Sequence, residues 1–275
     1  MKPHANWTEF ATDVGPRFSS YLQSLKRGEI ESWLHRTFWL FSFVHEGIGS
    51  KISKNKEAAR ILQPLLTEVH DILRGIVHSQ EAVLLAATVL QARTAFEIHC
   101  TIKFIAGSRE PMKYADRFRR YADVERFSYQ TGSAKAPKLN DAQKEDIRKR
   151  CPEWFKADGS LRSRMNWTAE QDTDSIKKIA AAVGLLDPYL RGYAISSKIT
   201  HGSPMGKNLY MGEGGMFFVA NPLLCNSQAV IGAGDCLAAM VEFCEFAGVQ
   251  MPQEEVLKHL VDGKSLGGLL NEEEF

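Results

Sequence analysis

The sequence is poor in cysteine, and none of its cysteines stand close enough together to form a metal or redox motif. Cys100, Cys151, Cys225, Cys236 and Cys244 are the five in a chain of 275 residues. That scatter excludes a disulfide scaffold and a C-x-x-C zinc or redox site. It fits a reducing cytoplasm, and Cys236 and Cys244, on apolar helical stretches, read as small buried hydrophobes. An excess of charge of one sign is also lacking: 34 basic against 33 acidic residues leave a net +1. No global field holds a nucleic acid or an anionic membrane, so such binding needs a local patch. No long hydrophobic run is present either. The most apolar stretch, residues 82–90, meets Gln91 and Arg93 well short of the roughly 20 residues of a membrane span. The opening Met1-Lys2-Pro3-His4 has no apolar signal core, which predicts a protein that is not secreted and does not enter a membrane. Phosphate-binding glycine loops, G-x-S-x-G and H-E-x-x-H are all missing, and His, Asp and Glu show no ligand spacing. No cofactor and no metal are therefore expected.

With 44% hydrophobic and 24% charged residues the composition is that of a globular protein. Apolar residues recur at helical spacing over 7–27, 29–45, 56–78 and 81–105. In the second stretch Trp33, Phe38, Trp39, Phe41 and Phe43 surround the axis, predicting a helix covered on most sides or docked on a partner. Pro64 either kinks the third helix or marks a start near it. Gly107-Ser108 closes the fourth, and Pro111 opens a fifth that runs to about residue 130. A surface loop over 131–140 leads to a charged helix over 141–156. After irregular chain over 160–167, Thr168 or Asp172 caps a helix reaching 183, and Asp187-Pro188 opens the next, which runs to about 201. The glycine-rich stretch 202–222 is the one place for strand, as a short hairpin near 208–220. Helical spacing returns over 227–246 and 252–261, and the tail over 271–275 frays. The expected fold is an all-α bundle forming a single helical domain. It comprises N-terminal helices (1–78), a motif-bearing core (79–225) and C-terminal helices (226–275).

Three places could carry chemistry. Arg93 and Glu97, four apart, share one face of an apolar helix and can pair. As an internal salt bridge they pin this helix to a neighbour, at a cost unless further groups satisfy them. His99, turned from Arg93 and Glu97 onto another face of the helix, should not join them. Tyr193, Ser196, Ser197, Lys198, Thr200 and His201 form a polar helix end. His201 there either caps the last carbonyls or transfers protons, with Lys198 and Arg191 on one flank as an anion site. In the fifth helix Arg117, Arg119, Arg120 and Arg126 alternate with Tyr114, Phe118, Tyr121, Phe127 and Tyr129. That mixture suits stacking on bases and phosphate contacts, yet Asp116, Asp123 and Glu125 in the same stretch equally suit a self-paired, solvated helix.

Arg93-Thr94-Ala95-Phe96-Glu97, the segment from Tyr114-Ala115-Asp116-Arg117 to Tyr121, and the stretch 193–203 together resemble a bacterial helical family of unknown function, over roughly residues 80–225. In texture the chain is also similar to the HEPN superfamily of compact helical proteins. That superfamily includes dimeric, metal-independent ribonucleases of toxin and phage-defence systems. Its catalytic pattern is an arginine four to six residues before a histidine on one helix. Here those positions before His201 hold Ser197, Ser196 and Ile195, and Arg191 lies further upstream. The resemblance implies His201 as general acid or base on RNA. Arg93, Arg117, Arg191 or Lys198 would stabilise the phosphorane, and Glu97 would orient an arginine or the histidine. Tyr193, Ser197, Lys198, Arg191, Arg120 and Tyr121 are the candidate substrate contacts. It also implies RNA, a second copy of the chain and a regulatory protein as partners. The alternative is a non-catalytic binding or regulatory module with a polar anion-binding pocket. In either case a polar pocket is expected where the Arg93/Glu97 helix, the Arg117 segment and the His201 helix end meet.

Overall fold

The computed structural model describes residues 27–132, 139–162, 166–200 and 222–250. The helices expected over 7–27 and 252–261, the hairpin near 208–220, the fraying tail and His201 lie outside the described residues. Within them the protein is all-α: α1 (Arg27–His45), α2 (Ile48–Lys51), α3 (Lys56–Glu81), α4 (Leu85–Gly107), α5 (Pro111–Gly132), α6 (Asp141–Arg150) and α7 (Ile176–Ala182) come first. α8 follows as a composite of Leu186–Pro188, a π-helical stretch Tyr189–Tyr193 and Ala194–Thr200, and α9 spans Pro222–Ala247. Among the described residues strand pairing is limited to one isolated bridge, Phe155 to Leu161.

The core is organised around α4 and α9. Both are apolar around most of their circumference, the pattern of helices enclosed by neighbours. Thr88 meets Cys225, His99 meets Asp235 and Lys103 meets Glu242, so the two helices run side by side in the same direction. Gly232 makes this possible: a Cβ there would lie 2.8 Å from the Ala92 Cα and 2.8 Å from the Ile76 side chain. The backbones of α4 and α9 meet where no side chain fits. α3 lies antiparallel to both and is joined to α4 by residues 82–84. There Leu84 N–H donates to the Ser79 carbonyl at 2.7 Å and Val83 takes φ +56°, an unusual conformation for a β-branched residue. α1 covers α3 and α9, α5 lies against α3 and α4, and α7 and α8 close over α4.

Helix boundaries follow local chemistry. α3 runs unbroken through Pro64 instead of starting beside it, and α4 begins at Leu85 because α3 takes the chain up to Glu81. α6 opens with a reciprocal box, the Asn140 side chain accepting from Gln143 N–H and Gln143 accepting from Asn140 N–H. It stops at Arg150, not 156, since Pro152 disfavours helical backbone at Cys151. Neither Thr168 nor Asp172 caps α7; Ser175 does. Thr168 is buried, its hydroxyl bonded to Asn166 and Thr173, and Asp172 lies in the short turn Gln171–Thr173. A second, smaller core joins α5 and α6 to the loop beyond, with Trp154 at its centre against Phe127, Ile147 and Phe155. All five cysteines are free and buried, and burial pushes the Cys244 thiol up to about 12.

On α1, Trp33, Leu34 and Phe41 are fully buried, whereas Trp39 is 67% and Phe43 71% exposed. The inner face meets α3 through His70, stacked on Phe38 at 5.1 Å and on His45 at 5.5 Å and hydrogen-bonded to Ser42 at 2.8 Å. Burial first, then the charge of His45, lowers its pKa below 6.5, while Asp71 opposes and Arg74 reinforces the shift. A depressed imidazole is neutral when folded, so its contribution is complete above the unfolded pKa and is lost as pH falls through the folded one. Stability measured by urea unfolding should therefore drop below about pH 6.5, and His70→Gln should flatten that part of the profile. Gly232→Val should destabilise the fold by about 1 to 3 kcal/mol through overpacking against Ala92, read as a lowered urea midpoint with unchanged slope.

Candidate functional site

The polar centre of the molecule lies between α4 and α8. Arg93 and Glu97, one helical turn apart on α4, form the ion pair their spacing predicts, Nε to Oε1 at 3.1 Å. The Tyr193 hydroxyl donates to the same Glu97 oxygen at 2.6 Å and accepts from Arg93 Nε at 3.3 Å. Arg93 Nη1 donates to the Thr200 hydroxyl at 3.0 Å, and the guanidinium stands 5.3 Å from the centre of the Tyr193 ring. Burial, followed by the hydrogen bond to the Glu97 carboxylate, raises the Tyr193 pKa well above the ordinary phenol value, so it remains a donor. Tyr193 and Thr200 share a face of α8 because seven residues make about two helical turns. That spacing is the signal by which Thr200 could have been added to the site from sequence.

The other candidates are distributed. Arg117 donates to the Thr168 carbonyl at 2.8 Å and to Glu170 at 3.1 Å. Tyr114 donates to Glu170 as well, and its pKa is pushed up to about 12 by burial and by that carboxylate. Arg120 is held by Asp116 at 2.8 Å, Glu153 at 2.7 Å and the Arg150 carbonyl at 2.6 Å, over the Trp154 ring. Burial alone would raise the Asp116 pKa, but hydrogen bonds from Arg119 and Arg120 hold it below the usual carboxylate value. Tyr121 is half-buried against Trp154. Arg117, Arg119 and Arg120 of α5 are thus paired as in the self-paired reading, by Asp116 on the same helix and by Glu153 and Glu170 on neighbouring segments. On α8, Arg191 is exposed and paired with Asp187 at 2.9 Å. Lys198 is exposed, and Ser197 offers its carbonyl to the Thr200 hydroxyl. His201 follows Thr200 in the chain and lies outside the described residues.

A cleft of about 470 Å³ opens beside this cluster, between α3, α4, α5, α7 and α8. It forms where Thr94, Glu97, Ile98 and Thr101 of α4, Phe118 and Glu125 of α5 and Tyr193 of α8 converge, with Trp167 and Glu68 completing the wall. The meeting of elements matches the expected pocket. Its described lining, however, combines aliphatic and aromatic side chains with neutral polar and acidic ones, and neither Arg93 nor Arg117 is part of it. Burial raises the Glu125 pKa above the usual carboxylate value. Among the described residues no group of three or more ligating side chains could hold a metal ion, and no helix is long and apolar enough to cross a membrane.

Sequence reasoning missed the polar contacts of α9, two of which bear on the site. His99, 6% exposed, bonds to Asp235 at 2.9 Å. The buried Ser196 hydroxyl donates to Gln228 at 2.8 Å, tying α8 to α9 directly beneath the Arg93 cluster. An aspartate inside so apolar a helix was the readable signal, since a buried charge demands a partner.

The fold and site together define an all-α protein that concentrates polar side chains, Arg, Glu, Tyr and Thr, where two helices from distant parts of the chain meet. The chain belongs to the family of unknown function DUF5677, whose model matches residues 59–217. That span contains α4, α5 and α8, hence the whole Arg93 cluster. Neither the curated proteins nor the solved structures include a match to the chain. Tyr193→Phe deletes the donor to Glu97 and should cost about 1 to 2 kcal/mol of stability, read by chemical denaturation, without loss of helical circular dichroism.

Proposed function

We propose that the protein is a metal-independent endoribonuclease of HEPN-like character acting in bacterial defence or as a toxin. The observation that carries this reading is the bond from Arg93 Nη1 to the hydroxyl of Thr200, the residue before His201. An arginine of α4 thus reaches the residue that precedes the histidine in the chain, and the reading assigns to it the part of the arginine missing from the same-helix pattern. In the proposed reaction His201 takes the proton of an RNA 2′-hydroxyl as that oxygen bonds to the adjacent phosphorus. The bond to the 5′-oxygen breaks, that oxygen receives a proton, and a cyclic phosphate and a 5′-hydroxyl end remain. Arg93 stabilises the negative charge of the phosphorane, and Glu97 and Tyr193 hold the guanidinium in position. A cytoplasmic homodimer under the control of a second protein belongs to this reading.

A non-catalytic binding or regulatory module is the second reading. It is favoured by the carboxylate partners of Arg117, Arg120 and Arg191, which leave these side chains neutralised within the fold. The two separate in one assay: wild type, His201→Ala and Arg93→Ala expressed at matched levels in bacteria, with total RNA examined and the purified proteins tested in chelator. Cleavage that persists in chelator and falls by about 100-fold or more in His201→Ala is expected. RNA left intact by folded wild type would favour the binding reading instead, and RNA cut equally by His201→Ala would overturn the role given to His201.

A further inference from the structure

Two of the three carboxylates in the cleft beside the Arg93 cluster, Glu68 and Glu125, differ from the other acids on and around α5. Elsewhere carboxylates are matched: Asp116 by Arg119 and Arg120, Asp123 by Arg150, Glu153 by Arg120 and Glu170 by Arg117. Within the cleft, Glu68 of α3, Glu97 of α4 and Glu125 of α5 contribute from three helices, and the described lining contains no lysine, arginine or histidine. Among the described residues neither Glu68 nor Glu125 has a cation at ion-pair distance, and Glu97 has Arg93 alone. The apolar part of the walls is both aliphatic, with Ile98, Ile176 and Ile179, and aromatic. Trp167 and Phe118 meet edge to face at 5.6 Å, and Trp167 and Tyr193 are 8% and 7% exposed, so the rings are held by the core.

A volume of about 470 Å³ lies in the range of small-molecule sites. Aromatic walls attract organic cations through their ring faces, and carboxylates do so by charge. An anion would meet Glu68 and Glu125, which have no cation at ion-pair distance among the described residues, and only Glu97 is balanced, by Arg93. Acids spread over three helices favour a ligand whose charges are also spread out, over a compact single charge. We propose that this cleft binds a linear aliphatic polyamine, its ammonium groups reaching Glu68, Glu97 and Glu125 and its methylene chain lying along Trp167 and Phe118. The site goes beyond the RNA-cleavage reading and does not depend on it. Because Glu97 also anchors Arg93, an occupied cleft shares a carboxylate with the proposed catalytic cluster.

The test is calorimetric titration of the full chain, without RNA, using spermidine, tetramethylammonium and acetate as probes. Saturable spermidine binding at millimolar concentration or below is expected, about tenfold tighter than tetramethylammonium, with no acetate binding. Glu125→Gln should weaken spermidine about tenfold, and Glu125→Lys, which places a cation in the cleft, should abolish it. Residue 125 is exposed, so circular dichroism of both variants should match wild type. Glu68→Gln gives an independent second variant with the same expected weakening. Absent spermidine binding, equal binding of acetate or of tetramethylammonium, or wild-type affinity in folded Glu125→Lys would each overturn the proposal. RNA cleavage, whether present or absent, leaves these outcomes unchanged.

Discussion

The close approach of α4 and α9 at Ala92 and Gly232 is the constraint on which the rest of the structure depends. Two helix backbones meet there without a side chain between them, so neither can rotate or slide without a clash. Polar contacts then lock the register at other levels: Asn226 with Gln80, Gln228 with Ser196, Asp235 with His99, and Glu242 with Lys103. Three of these α9 residues, Gln228, Asp235 and Glu242, recur every seven positions, which returns them to nearly the same face. On an apolar helix with little else to specify register, such paired groups select one alignment from several of similar hydrophobic energy. Buried pairs of this kind add less to net stability than to specificity.

The Arg93 cluster inherits its geometry from that constraint. Arg93 follows Ala92 directly, so the tightest point of the core fixes where the guanidinium emerges. α8 is positioned from below by Ser196 on Gln228 and from above by Tyr193 and Thr200 on Glu97 and Arg93. The π-helical stretch Tyr189–Tyr193 ends on Tyr193, the first of the residues that make these contacts, and Ser196 and Thr200 follow it. Wide turns of this type often occur at functional sites, where they redirect side chains a regular helix would aim elsewhere.

Much of this architecture can be read from local pattern. The helical spacing over α1, α3 and α4 and the i to i+4 pairing of Arg93 with Glu97 both depend on neighbours in the chain, and both appear as expected. The fold class follows from the same periodicity. What could not be read depends on partners remote in sequence. Arg117 looks available for phosphate until Glu170 and the Thr168 carbonyl are brought to it, and Arg120 until Glu153 arrives. Thr168 resembles a helix cap until burial commits its hydroxyl to Thr173, leaving Ser175 to start α7. His99 gave no sign of its role because Asp235 lies 136 residues away. The acidic character of the cleft was hidden for the same reason, since Glu68, Glu97 and Glu125 come from three separate helices.

The parallel course of α4 and α9 has a consequence for how the chain acquires its shape. Parallel neighbours cannot be joined by a tight turn, so α5 to α8 are all synthesised between the two halves of the central contact. Contacts of such long sequence separation are entropically slow to close. Emerging from the ribosome, α4 first has only α3 and its own following helices for company, with the groove around Ala92 still open to solvent. The Arg93 centre is therefore assembled late. A nascent or truncated chain lacking α9 exposes an apolar seam suited to chaperones, and the completed site exists only once the last described helix has been delivered.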